Sequence, residues 1–363
     1  TSWFENNAFS TTVAYLSAAD QDSGDSHTFS LVSGSSFVDN ESFTISGNQL
    51  IIKDSADYES QSSYSIRLAA TDQDGDSFEK NFTIDVNDIN DDPTDIIIDT
   101  SSFNENNAFS TTVAYLSAAD QDSGESHSFS LVSGSSYADN ESFTISGNQL
   151  IIKDSADYEN QSAYTVLLEV KDKDQATYEK EFTFNVNDIN DDPTDIIIDS
   201  SSLSFNENDS TSTTVATLSV SDQDSGDSHT FSLVSGSSYA DNDSFTISGN
   251  QLKIKDSADY ENQSAYTVLL EVKDKDEATY EKEFTFNVND INDDPTDIII
   301  DSSSLSFNEN DSISTTVATL SVADQDSGES HTFSLVSGSS YADNESFTIS
   351  GNQLIIKDSA DYE

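Results

Sequence analysis

Cysteine is absent from this 363-residue chain, so neither a disulfide framework nor thiolate chemistry is available to it. Basic residues are scarce: 13 Lys plus Arg stand against 69 Asp plus Glu, a net charge of −56. Nucleic acids and anionic membranes are held by Lys/Arg footprints, and the chain has none to offer. With 3 prolines and 13 glycines the sequence is not a low-complexity stalk. No stretch approaches the ~18 apolar residues of a membrane span, and no basic-then-apolar leader opens the chain. A start at Thr1 reads as a fragment of a longer secreted or cell-surface protein. Glycine-rich phosphate loops and Cys/His zinc spacings are also missing.

What is present is enough for cores. Apolar residues make up 34% of the chain, with 21 Phe and 14 Tyr, more than a disordered acidic chain carries. The length suggests two to four domains. The carboxylates are then either solvated surface, as in proteins adapted to high salt, or ligands for divalent cations. Their positions decide which.

Self-similarity organises those positions. Glu105-Asn-Asn-Ala-Phe-Ser-Thr-Thr-Val-Ala repeats Glu5 onward at an offset of 100, and Glu207 and Glu309 recur at offsets of 102. Pro93, Pro193 and Pro295 each close an Asp-Ile-Asn-Asp-Asp-Pro run. A period near 100 makes each unit a whole domain, with boundaries at 1–93, 94–193, 194–295 and 296–363. The first unit lacks the Pro-Thr-Asp-Ile-Ile-Ile opening and the fourth stops before its last two strands.

Inside a unit, strand signals come every 8 to 15 residues with turn chemistry between them. In the third unit they fall at Ile196–Ile198, Thr213–Val220, His229–Val234, Ser244–Ile247, Gln251–Lys255, Ala265–Lys273 and Tyr280–Asn289. The period of two puts Tyr266, Val268, Leu270 and Val272 on one face. Ile151 becomes Lys253 while Leu150 and Ile152 stay apolar as Leu252 and Ile254, so the latter pair should face inward. Seven strands per ~100 residues predicts an all-β fold of tandem Greek-key, Ig-like β-sandwiches.

Four acidic motifs recur at strand ends. An early Glu is followed by Asp-x-Asp, then Asp-Tyr-Glu, then Asp-Ile-Asn-Asp-Asp. This ordered set resembles the cadherin repeat, whose motifs read Glu, Asp-Arg-Glu, Asp-x-Asn-Asp-x-Pro and Asp-x-Asp. Tyr in place of Arg, and the Asn-Asp-Asp-Pro ending, are similar to cadherin-type repeats of large bacterial surface adhesins. The resemblance covers the whole chain. It implies calcium at each junction, with about three ions per site among 6–8 oxygen ligands each.

Carried over motif by motif, the resemblance gives the first junction Glu5, Asp57, Glu59, Asn90, Asp91, Asp120, Asp122 and Asp172, with carbonyls from Ile89 and Asp92. It gives the second Glu105, Asp157, Glu159, Asn190, Asp191, Asp222, Asp224 and Asp274. The third takes Glu207, Asp259, Glu261, Asn292, Asp293, Asp324 and Asp326, and its last ligand would lie beyond residue 363. Two carboxylates ~4 Å apart repel by about 4 kcal/mol at an effective dielectric of ~20. The expectation is a rod in calcium and a loose chain in chelator.

The implied role is a calcium-dependent adhesion segment at the cell surface, outside the cell, membrane-anchored only through another part of the protein and not an enzyme. It would act as an extender, or in homophilic binding to other copies or to surface ligands. Two alternatives remain: glycan- or ligand-binding modules using loops such as Ser235–Asp243, with Tyr239 or Phe37 as a platform, and spacer repeats of a secreted enzyme. Asp25, Glu41 and Glu79 read as plain surface charge. His27, His127, His229 and His331 read as edge or turn histidines, since Ser-His neighbours on one strand point to opposite faces.

Overall fold

In the strand Ala163–Lys171, Tyr164, Val166, Leu168 and Val170 are buried and the residues between them are not. The third repeat buries Tyr266, Val268, Leu270 and Val272 in the same way, with Leu269 between them also largely covered. Leu252 and Ile254 also face the core, with Lys253 outward of them. Period-two alternation therefore fixes which face of each long strand is inside. The computed structural model describes all residues except 1, 23, 35–37, 135–136, 200, 202, 237–239, 302–304 and 362. Phe37, Tyr239 and Tyr362 lie outside the described residues.

The chain divides into two compact units, Thr1–Ile189 and Asn190–Glu363. In the first unit, residues 95–187 form two four-stranded sheets. One runs Phe143–Ser146, Gln149–Ile152, Thr111–Ala119, Asp95–Ile98; the other runs Ser128–Leu131, Ala163–Lys171, Thr177–Asn187, Ser102–Asn104. Both inner faces meet in one core around Phe143, Phe184, Leu150, Ile152 and Leu168. Phe143 stands edge-on to Tyr164 at 5.5 Å between centroids, a favoured aromatic geometry. Residues 2–87 build the same sandwich without the counterpart of Asp95–Ile98, so one of their sheets has three strands.

In the second unit, residues 195–289 repeat the eight-strand arrangement around Phe245, Phe286 and Leu252. Residues 297–356 supply one four-stranded sheet, Asp297–Ile300, Thr316–Ala323, Gln353–Ile356, Phe347–Ser350. Its opposite sheet would need counterparts of Ala265–Asn289. As a result Ile298 is 62% exposed where Ile96 and Ile196 are fully buried.

Two features depart from the sequence reading. The opening strand of each complete repeat is split: Asp195–Ile198 pairs in one sheet, and Ser204–Asn206 crosses to the other and runs parallel to Asn287–Asn289. Also, Val113 and Ala114 are both buried because a β-bulge lies between Thr112 and Ala114; an extra residue re-aims the strand and breaks strict alternation.

Candidate metal centres

The parallel pairing of Ser102–Asn104 with Asn185–Asn187 places Glu105 beside the end of the last long strand. Asn106 then takes a left-handed φ of 52°, a conformation Asn tolerates better than most residues. The Glu105 carboxylate accepts N–H groups from Tyr158 at 2.6 Å and Ile189 at 2.7 Å. Glu5 does the same with Tyr58 and Ile89 (2.5 and 2.8 Å), and Glu207 with Tyr260 and Ile291 (2.7 Å each). All three glutamates are buried. Each ties the Asp-Tyr-Glu turn to the Asp-Ile-Asn-Asp-Asp linker of its own repeat.

Within the first unit these groups meet the acids of the following repeat. Glu5, Glu59 and Asp88 bring carboxylate oxygens within 4.8 Å of one another, and so do Glu59, Asp91 and Asp122. The Asp91 N–H donates to Asp122 at 2.8 Å, and the Asn90 amide donates to Asp172 at 2.8 Å. Asp120 accepts the Asp122 N–H at 3.1 Å, which orders the Asp-x-Asp turn. Asp57 stands at the rim: one oxygen accepts the Ser60 N–H at 2.8 Å, and its charge is felt at Asp91. Glu59 Oε2 and Asp91 Oδ2 are shielded from solvent without a hydrogen-bond donor.

Such a cluster is electrostatically unsatisfied. Burial raises the Glu59 carboxyl above its ordinary range, and the charges of Glu5, Asp88 and Asp122 add to it. Asp91 is raised by burial and by Glu5, Asp122 and Asp57, against a bond from Asn6. Donor-free buried carboxylate oxygens beside other carboxylates are a fit for a hard cation that prefers oxygen ligands.

The second unit contains a matching cluster. Glu261 is raised by burial and by Glu207, Asp290 and Asp326. The Asp293 N–H reaches Asp326 at 2.6 Å, Asn208 reaches Asp293 at 3.0 Å, and Asp259 accepts the Asn262 N–H at 2.9 Å. Asp326 Oδ1 is buried without a donor, the Asp326 N–H rests on Asp324, and Asn292 turns its amide to the Asp293 carbonyl.

The remaining predicted residues fall into two sets, each inside one unit. In the first unit Glu105, Glu159 and Asp188 converge within 4.8 Å, with Asp157 capping the turn at Asn160. In the second, Asn190 donates to Asp274 at 2.9 Å, Asp191 donates to Asp224 at 2.7 Å, and Asp224 rests on Asp222.

Several participants escaped the sequence reading. Asp88, Asp188 and Asp290 open the Asp-Ile-Asn-Asp-Asp motif yet were left out of the ligand set. The histidines lie in loops, in keeping with the turn reading, but each has a partner the sequence reading did not name. His27, His127, His229 and His331 each place Nε2 2.6–2.9 Å from the first aspartate of an Asp-x-Asp turn. The position of Asp25 is not plain surface in the next two repeats, where it is Glu125 and Asp227. The Glu125 side chain is 5% exposed and pairs with Lys173, and Asp227 is 12% exposed and pairs with Lys275. Ile89 serves Glu5 through its N–H.

Residues 201–289 match the Cadherin domain family, and the near-identical units at offsets of 100 and 102 extend that match along the chain. The third repeat is thus matched as a cadherin domain, and the other units share its sequence. Human Protocadherin Fat 4 is 29% identical over 341 residues, 89% of this chain and 7% of that protein. Mouse Cadherin EGF LAG seven-pass G-type receptor 2 is 29% identical over 240 residues, 63% of this chain and 8% of that protein. The chain thus spans a small part of these relatives. Among solved structures, Protocadherin Gamma B2 extracellular cadherin domains 1-5 superpose with a TM-score of 0.65 at 21% identity, over 99% of this chain and 73% of that one. The Protocadherin GammaB4 extracellular domain gives 0.63 at 21%, over 99% and 60%. The shared fold is the tandem cadherin sandwich. Cadherin domains bind calcium at repeat junctions. Among the described residues no helix is long and apolar enough to cross a membrane.

Proposed function

We propose that this chain is an extracellular cell-adhesion segment whose cadherin repeats, bounded at 93, 193 and 295, are braced by calcium. The ions would be held by the early glutamates, the Asp-Tyr-Glu turns, the Asp-Ile-Asn-Asp-Asp linkers and the Asp-x-Asp turns, together with Asp172 and Asp274. Asp88, Asp188 and Asp290 join that set. About three ions per junction fits the number of oxygens, given 6–8 ligands per ion with some shared. The observation that carries this reading is the convergence of Glu59, Asp91 and Asp122 within 4.8 Å. Two of these acids belong to one repeat and the third to the next, so a cation between them ties the two together.

A braced array acts as a spacer that holds a binding surface away from the cell, with no reaction to catalyse. Small-angle X-ray scattering in millimolar calcium and in excess chelator tests this. A marked gain in flexibility without calcium supports it, and superimposable profiles would sink it.

Binding between copies is a second reading. Phe9 and Phe109 are 75% and 76% exposed at equivalent turns of successive repeats, which gives the first two repeats a matched pair of apolar contacts. Beads coated with the chain should then clump in calcium, and dispersed beads would leave the spacer role alone.

A further inference from the structure

Only 13 basic residues serve this chain, yet two of them sit against the acid clusters. Lys173 lies in Asp172-Lys173-Asp174 and Lys275 in Asp274-Lys275-Asp276; the first repeat has Gln73 there instead. Lys173 Nζ donates to Oδ1 of Asn90 at 3.1 Å and also pairs with Glu125 and with Asp174, the latter at 3.0 Å. Within the second unit, Lys275 Nζ donates to Oδ1 of Asn190 at 2.8 Å and pairs with Asp227 at 2.9 Å and Asp276 at 2.7 Å. The two sites share one design: a nearly buried acid from the loop before the histidine steers an ammonium onto a linker asparagine. Gln73 accordingly makes a neutral contact, donating to Asp25 at 2.6 Å.

The asparagine oxygen is the point of conflict. Its amide nitrogen faces an aspartate (Asp172 or Asp274), which leaves Oδ1 as the group available to a cation. Calcium takes amide oxygens readily, and a lysine ammonium is a compact, permanently placed positive charge. Both seek the same oxygen, and at a few ångströms they repel.

We infer that Lys173 and Lys275 are tethered cations that compete with calcium at Asn90 and Asn190, setting aside a weaker class of calcium sites. The inference rests on the calcium reading above. The lysines partly neutralise the acids when calcium is scarce and must yield Oδ1 when it is plentiful. Each such junction therefore fills in two stages.

The test is calorimetric calcium titration of the full chain and of Lys173→Gln, Lys275→Gln and the double variant, Gln being the residue at position 73. Lys53→Gln is the charge control, because Lys53 bonds the Glu41 carbonyl away from the clusters. In the double variant the weaker class should tighten about tenfold, a shift of ~1.4 kcal/mol, while Lys53→Gln leaves the isotherm unmoved. Thermal unfolding provides a second readout: the double variant should melt lower in chelator and gain more from calcium than the unaltered chain. Superimposable isotherms, or an equal shift from Lys53→Gln, would overturn the inference while calcium uptake by the unaltered chain keeps the functional reading intact. No uptake by the unaltered chain overturns both.

Discussion

The backbone N–H of Asp91 donates to Oδ2 of Asp122 at 2.8 Å, joining the linker of one repeat to the Asp-x-Asp turn of the next. The same bond runs from Asp191 to Asp224 at 2.7 Å and from Asp293 to Asp326 at 2.6 Å. Exposure follows it: Asp120 in the bonded turn has a 3% exposed side chain, whereas Asp20, in a turn that bonds no linker in this structure, is 28% exposed. The linker thus buries carboxylates from the following repeat against carboxylates from its own. Such an arrangement is costly unless positive charge stands between them.

Replacing Asp122 by Ala should remove both that bond and a ligand oxygen. Calcium binding at the first junction is expected to weaken at least about tenfold, seen as a lost step in a calorimetric titration. The third-junction step, anchored on Asp326, should remain.

Replacing Glu105 by Gln tests the clamp independently of calcium. Both carboxylate oxygens face backbone N–H donors at 2.6 and 2.7 Å, so the new NH₂ meets a donor and one bond is lost. A loss of about 1–3 kcal/mol is expected in chelator, measured by denaturant unfolding.

The raised carboxyls set a pH signature. Glu59, Asp91 and Glu261 are raised, so they bind protons more tightly folded than unfolded. Their contribution is fully present below the ordinary values of 4.5 and 3.8 and is lost as pH rises through the raised values. Asp172, Asp274 and Asp324 are lowered, chiefly by bonds from Asn90, Asn190 and His331. Their contribution is present above 3.8 and lost as pH falls through the lowered values. In chelator the melting temperature should therefore rise on acidification from neutrality and fall once the lowered group is protonated. In calcium the first rise should vanish, because the ions already compensate the acids. Calorimetric scans across pH with and without calcium check this.

The cores make a paired prediction. Phe143 and Phe347 occupy equivalent positions, but Phe143 is 1% exposed within a closed sandwich and Phe347 is only partly buried in a single sheet. Phe143→Ala should cost about 3–5 kcal/mol and Phe347→Ala far less, read from urea unfolding.

The strands and their inward faces were legible because a period of two over nine residues admits one face, as Tyr266 to Val272 show. The acid clusters were legible because four motifs recur in order. Pairing was not. Ser204–Asn206 looked like part of a charge motif, and only its parallel partner Asn287–Asn289 makes it a strand. Thr332–Leu335 has the same sequence as the strand Thr230–Leu233, yet it forms no strand in this structure, where it has no partner like Ala265–Lys273 beside it. Local sequence proposes an element, and a partner far along the chain completes it. The contacts of Lys173 and His127 were hidden for the same reason: each reaches a residue whose nearness depends on how loops stack at a sandwich end.

The most direct test is a crystal structure of the chain grown in calcium, with anomalous scattering used to place the ions. The account predicts calcium peaks bracketed by Glu5, Glu59, Asp88, Asp91 and Asp122, with ligands drawn from both repeats at each. Ordered water in that space, with Glu59 and Asp122 turned out to solvent, would contradict it.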